Sequence, residues 1–197
     1  MEKKEKLMVK LYQIGALQFG SFILKSGLKS PFYIDLRILV SYPTVLKEVA
    51  LIYNEILQRL KFDRMAAVPY TAIPIVTAIS ILNKKPFIYT RKEQKSYGIK
   101  RPAEGRFNEE DKVVLIDDMI TTGQSKLETI SVLEKLGLRV REVVVLFDRE
   151  QGGGEDLEKA GYHLHAAFTI SQWLEVLFKK KKISQKIYND VFSYLKK

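Results

Sequence analysis

The sequence predicts an α/β fold with a central, mainly parallel sheet flanked by helices, and three observations predict it. Residues 113–116, Val-Val-Leu-Ile, are an unbroken apolar run rich in β-branched side chains. Such a run suits a strand covered on both faces, as in a parallel sheet with helices above and below. Similar runs recur at residues 65–68 and at 143–147, the latter within a strand read over 140–147. Between the runs lie helical stripes: Leu46, Val49, Ala50, Tyr53, Ile56, Leu57 and Leu60 behind Pro43, then Leu127, Ile130, Leu133 and Leu136.

Taken in order, Leu7, Leu11, Ile14 and Leu17 predict a first amphipathic helix ending near Gly20. Residues 22–35 predict two short β segments joined by a turn punctuated by Ser-Gly and Ser-Pro. After the Pro43 helix and the strand at 65–68 come Pro69, Tyr70, Thr71 and Pro74, with a helix from about Ile75. A short strand at 86–89 leads into residues 91–105, where five cations fall within eleven residues among Gly and Pro, without a periodic apolar face. That composition predicts a mobile basic loop, solvated or closing over a ligand. The strand at 140–147 ends in Asp148 and Arg149, and Gly152, Gly153 and Gly154 predict a flexible turn. His163 and His165 alternate as on a strand, with no third metal ligand nearby in sequence. Thr169 and Gln172 form a capping box for a helix carrying Trp173, Leu174 and Leu177, and residues 187–195 make the last helix.

At 197 residues the chain suits one domain, residues 1–197. It has no cysteine, which removes disulfides and thiolate chemistry and is compatible with a reducing cytoplasm. The amino terminus, Met-Glu-Lys-Lys-Glu-Lys, lacks the apolar core of a signal peptide, so a cytoplasmic protein is expected. Residues 65–82 carry no charge over 18 positions, yet Pro69, Pro74 and the Ser and Thr content predict strand, loop and buried helix rather than a membrane span. The net charge of +10 suits a polyanionic partner, either nucleic acid or a diphosphorylated sugar. The four-lysine run at 179–182 reads as a solvated helix end.

The chemistry concentrates after the 113–116 strand. Asp117 and Asp118 are followed by Met119 and Ile120, then by the turn Thr121, Thr122, Gly123 and by Gln124 and Ser125 at a helix start. A small-residue turn entering a helix offers backbone N–H groups at the positive end of the helix dipole, where a phosphate can be held without a lysine. Like charges repel, so the paired acids face hydroxyls or a metal-bound group instead. A ribose phosphate has both ends.

These thirteen residues, 113–125, resemble the phosphoribosyl pyrophosphate (PRPP) motif of the type I phosphoribosyltransferases, which implies that family's fold with a small N-terminal hood over the base. By position, the resemblance gives Asp117 and Asp118 the ribose hydroxyls and residues 121–125 the 5-phosphate, with Met119 and Ile120 between them in the donor site. The loop at Tyr70 and Thr71 would bind pyrophosphate, with a non-proline cis peptide between Pro69 and Tyr70.

The hood segment, about 17–40, resembles that of orotate phosphoribosyltransferases: Leu-Lys-Ser-Gly, Lys-Ser-Pro, then aromatics. There Lys25 would reach anionic groups of the ligand, and Tyr33 and Ile34 would line and cap the flat base. The basic loop matches the same family through Arg91, Lys92 and Lys95. In that family Lys92 acts in its own site while Arg91, Lys95 and Tyr97 reach into a neighbour's, implying a homodimer with shared sites. Arg149 would bind the orotate carboxylate, as its planar fork suits. Tyr97 stands where the common pattern has His, and Thr71 where it has Lys. Both, with the Asp-Arg-Glu-Gln-Gly-Gly of 148–153, resemble the phosphoribosyltransferase half of fused UMP synthases, in which a decarboxylase domain would follow.

The implied reaction is Mg²⁺-dependent transfer of 5-phosphoribosyl from PRPP to N1 of orotate, in pyrimidine biosynthesis. Catalysis would fall to Lys95, Lys92, Arg91, Asp117 and Asp118, with Mg²⁺ bound mainly through PRPP and not directly by the protein. A nucleic-acid-binding regulator on the same fold has only the high net charge in its favour. Transfer to a purine is disfavoured by the hood and Arg149. The expected partners are therefore PRPP and orotate, with no nucleic acid and no membrane.

Overall fold

The computed structural model describes residues 2–23, 27, 29–91 and 102–196. Lys25, Lys92, Lys95 and Tyr97 lie outside the described residues, as does most of the basic loop. Among those described, six strands form one sheet in the order β5-β4-β3-β6-β7-β8. These are β3 (Arg64–Ala67), β4 (Phe87–Thr90), β5 (Ala103–Glu104), β6 (Lys112–Ile120), β7 (Arg139–Asp148) and β8 (His163–Thr169). All neighbours pair in parallel except β4 with β5.

The unbroken apolar runs follow from double coverage. Along β6, Val114 and Ile116 join one core while Val113 and Leu115 join the other, because successive side chains point to opposite faces. The first core is closed by α1 (Glu2–Gln13), α2 (Pro43–Leu57), α3 (Ala72–Asn83) and α6 (Ile170–Lys179). The second is closed by α4 (Gln124–Lys135) and α5 (Gly153–Lys159). The last helix, α7 (Gln185–Leu195), packs against α6 and the hood. Trp173 is fully buried, stacked on Phe147 with centroids 4.1 Å apart, and donates Nε1–H to the Met8 carbonyl at 2.8 Å. The capping box of Thr169 and Gln172 forms as expected.

The amino-terminal helix is shorter than its periodicity predicts. It ends at Gln13, and Leu17 belongs to β1 (Leu17–Ile23), paired antiparallel with β2 (Lys29–Ile34). Gly15 takes a left-handed φ of +85°, and Ala16 N–H bonds back to the Leu11 carbonyl at 2.9 Å, closing the helix end. Leu17 is still buried, but opposite Ile34 in the hood ribbon rather than along a helix stripe. Ser30 and Pro31 lie within β2 and not in the turn. The pairing skips between Phe19 and Phe22, and this bulge relieves Pro31 of a ladder hydrogen bond.

Other boundaries move by a few residues. The α3 helix begins at Ala72, not near Ile75, so Pro74 sits in its first turn, where N–H groups have no intrahelical partner. β6 runs on to Ile120, which puts the acid pair inside the strand. Gly153 and Gly154 open α5 rather than forming a loose turn. Among the described residues no helix is long and apolar enough to cross a membrane.

Candidate active site

The carboxyl ends of β3, β6 and β7 lie side by side and each delivers a short loop to the same edge, the place where open α/β sheets bind ligands. A cleft of about 510 Å³ opens there, lined among others by Pro69, Thr71, Arg91, Asp117, Asp118 and the run from Thr121 to Lys126. The β3 loop turns through a cis peptide between Pro69 and Tyr70, as expected. Thr71 stands at the start of α3 and lines the cleft, while the Tyr70 side chain is largely exposed.

The β6 loop has the glycine turn into a helix that the motif predicts. Gly123 adopts φ +75° as the residue before α4, and the N–H groups of the first turn follow it. Met119 and Ser125 line the cleft, whereas Ile120 is fully buried in the second core. The backbone beneath the acids is pinned by Tyr53, whose buried hydroxyl donates to the Asp117 carbonyl at 2.6 Å.

The two acids differ. Asp117 is buried, accepts the Asp118 N–H at Oδ1 (2.9 Å) and pairs through Oδ2 with Lys126 Nζ at 2.6 Å. Asp118 is half-buried and accepts the Met119 N–H at 2.8 Å. Poor solvation and the neighbouring Asp117 charge push its carboxyl up to about 8, against an ordinary value of 3.8. A carboxyl raised on folding binds more protons in the native than in the unfolded state between those values. It therefore makes stability fall as pH rises through that window. Asp118→Asn removes the effect. The variant is expected to melt a few degrees above the parent at pH 8 and close to it near pH 4, as thermal scans across pH would read; parallel pH profiles would refute this.

Just past the end of β7, Arg149 is only 6% exposed, and its guanidinium lies 4.8 Å from the centre of the Phe32 ring of the hood. Its Nε and Nη2 have no hydrogen-bond partner among the described residues. Burial lowers its pKa, as expected for a cation poorly solvated and not paired with a carboxylate. The Arg149 N–H donates to the Ile120 carbonyl at 3.1 Å, which fixes it one strand away from the cradle.

In the hood, alternation along β2 turns Ser30, Phe32 and Ile34 inward and leaves Tyr33 half-buried on the other face. Ile34 is thus part of the first core, while Tyr33 stacks on Phe22 and accepts a hydrogen bond from Arg37 at 3.1 Å. Arg37 in turn pairs with Asp35 at 2.7 Å and holds that carboxyl below its ordinary range. Arg91, at the end of β4, pairs with Glu104 on β5 and lines the cleft. His165 contacts Glu142 at 2.6 Å, and no group of three or more His, Cys, Asp or Glu able to hold a metal occurs among the described residues.

Lys126 was not among the residues the sequence pointed to. Its signal was present: Lys126, Ile130 and Leu133 occur at i, i+4 and i+7, so a lysine occupies the buried stripe of α4.

No family model matches the chain. The chain is 43% identical over 180 residues to uridine 5'-monophosphate synthase of Bos taurus, covering 90% of this chain but 38% of that protein. A solved structure of Leishmania donovani UMP synthase superposes with a TM-score of 0.91 at 41% identity, covering 98% of this chain and 42% of that one. The chain therefore spans about two fifths of the length of these relatives. The orotate phosphoribosyltransferase of Thermococcus gammatolerans is 37% identical over 177 residues, covering 89% of this chain and 94% of that protein. That near end-to-end match, on a sheet whose edge carries the acid pair, the cradle and a buried arginine, shows that the chain belongs to the orotate phosphoribosyltransferase family.

Proposed function

We propose that this chain transfers the 5-phosphoribosyl group of PRPP to N1 of orotate, forming orotidine 5-phosphate and pyrophosphate in pyrimidine biosynthesis. The observation that carries this is Arg149: a buried guanidinium whose Nε and Nη2 have no partner among the described residues, one strand from the cleft and against a hood aromatic. A carboxylate on the accepting base would satisfy those donors.

Breaking the anomeric carbon–oxygen bond leaves a ribose with oxocarbenium character and puts negative charge on the leaving pyrophosphate. The chain's contribution is to fix the sugar through Asp117 and Asp118, hold the 5-phosphate on residues 121–125, and neutralise the leaving group with Arg91, Lys92 and Lys95. Orotate is held by Arg149, with Lys25, Tyr33 and the hood around it. Mg²⁺ suits this site as a cation carried mainly by PRPP oxygens and water, its usual mode with phosphate substrates, and there it would offset charge on the pyrophosphate. The proposal includes a cytoplasmic homodimer in which Lys95 and Tyr97 complete the neighbour's site.

The test is the loss of orotate absorbance with PRPP and Mg²⁺, run beside uracil, hypoxanthine and adenine. Turnover of orotate alone is expected; turnover of a purine, or of no base, would refute the assignment. In the same assay Lys95→Ala is expected to lower kcat by about tenfold or more with a much smaller change in the KM for PRPP, because the lysine acts on charge that develops during bond breaking. Equal effects on kcat and KM would remove Lys95 from the leaving-group role.

A further inference from the structure

The buried lysine of α4 has no part in the scheme above, and its surroundings specify one. Lys126 Nζ lies 2.6 Å from Asp117 Oδ2 and 3.4 Å from Ser125 Oγ, and it also donates to the Met119 carbonyl. The side chains of Lys126 and Asp117 are only 6% and 8% exposed. Three acceptors thus surround one ammonium group, two from the end of β6 and one from the first turn of α4. A buried ion pair rarely adds net stability over apolar packing, because both charges must be desolvated. The geometry serves orientation instead.

We infer that Lys126 is a positioning residue for the donor sugar: it locks Asp117 in the rotamer that meets the ribose diol and ties that acid to the phosphate cradle. Asp117 Oδ2 is held by Lys126 and Oδ1 by the Asp118 N–H, so the carboxylate cannot turn without breaking both. Its remaining lone pairs keep a set direction toward the cleft. Lys126 also neutralises one charge of the pair, so that the second acid can stand beside it, and it rides on the turn that would hold the 5-phosphate. The separation between the diol and phosphate sites is thereby set by one side chain. The same lysine lines the cleft without offering its ammonium to the leaving group, which Asp117 already occupies.

This inference rests on the assignment of the cleft to PRPP, and the experiment separates the two. Calorimetric titration of the full chain with ribose 5-phosphate and with inorganic phosphate is compared for the parent, Lys126→Met, Lys126→Gln and Asp117→Asn. Steady-state KM values for PRPP and orotate are measured in parallel. Both Lys126 variants are expected to bind ribose 5-phosphate about tenfold or more weakly, to bind inorganic phosphate within about threefold of the parent, and to raise the KM for PRPP but not that for orotate. The double variant Lys126→Met/Asp117→Asn should bind no worse than Asp117→Asn alone, since the lysine acts through that acid. A Lys126 variant that folds and binds ribose 5-phosphate as the parent does would overturn the inference, as would equal losses for all ligands. Lys126→Gln keeps an uncharged donor one carbon shorter and a polar side chain, so a folding defect in the methionine variant leaves the comparison decisive. A parent that binds neither ribose 5-phosphate nor PRPP would overturn the cleft assignment itself.

Discussion

Replacing Arg149 with methionine is expected to raise the KM for orotate by about two to three orders of magnitude while the KM for PRPP stays close to that of the parent. The guanidinium is almost fully buried, lies over Phe32, and leaves Nε and Nη2 without partners among the described residues. A carboxylate arriving there exchanges water for a fork of charge-assisted hydrogen bonds, each worth about 1.5–3 kcal/mol. Methionine keeps the aliphatic stem and loses only the fork. The loss should therefore appear in base binding and not in folding. Removing a buried cation with two unpaired donors among the described residues relieves a desolvation cost, so the variant is expected to melt at or above the temperature of the parent. Steady-state kinetics with varied orotate and a thermal scan check both halves. An unchanged KM for orotate would move the carboxylate site away from β7.

The second large effect is expected at Gly153, a residue with no chemistry of its own. A Cβ built there would lie 2.6 Å from Ile120 Cγ1, 2.6 Å from the Thr121 carbonyl oxygen and 2.9 Å from Gly123 N. Two of those three atoms are backbone of the phosphate cradle, which cannot rotate aside as a side-chain end can. Gly153 N–H also donates to the Thr121 carbonyl at 3.0 Å, so the start of α5 is fastened directly beneath the cradle. Gly153→Ala is expected to cost about 1–3 kcal/mol of stability and to raise the KM for PRPP by about tenfold to a hundredfold, with the KM for orotate changed far less. Gly154→Ala is the control. There the added Cβ meets the Leu164 Cδ2 end at 3.2 Å, a side-chain end able to shift, and its effect should be small. Equal kinetics for the two variants would show that the cradle does not depend on the close approach of α5.

Much of this protein is legible in its sequence because the relevant constraints are local or periodic. A strand covered on both faces must be apolar at every position, which is why residues 113–116 and 143–147 announce a parallel sheet. The acid pair and the Thr-Thr-Gly turn lie two residues apart, so their proximity in space follows from their nearness along the chain. The capping box of Thr169 and Gln172 is likewise local, and both its hydrogen bonds are present. Arg149 follows directly on a strand end and so had to reach the ligand edge.

Where the sequence misleads, two patterns coincide by accident. Leu7, Leu11, Ile14 and Leu17 keep helical spacing across Gly15, yet Leu17 is buried by a strand partner, Ile34, and periodicity cannot tell which neighbour buries a residue. The three glycines at 152–154 look like slack chain, and only the approach of α5 to the β6 loop shows that Gly153 leaves no room for a side chain.

By itself, then, the sequence determined the parallel strands of the sheet and most of the helices flanking them, because these follow from patterning and from neighbours along the chain, whereas β5 falls inside the stretch that reads as a mobile loop. Tertiary structure alone decided that Lys126 belongs to Asp117, that Arg149 lies against Phe32 with two donors unpaired among the described residues, and that Gly153 packs against the β6 turn. Each of those facts is a contact between different elements of the fold. Such contacts arise from how faces pack and which charges are left to one another once water is excluded, and no spacing along the chain encodes them.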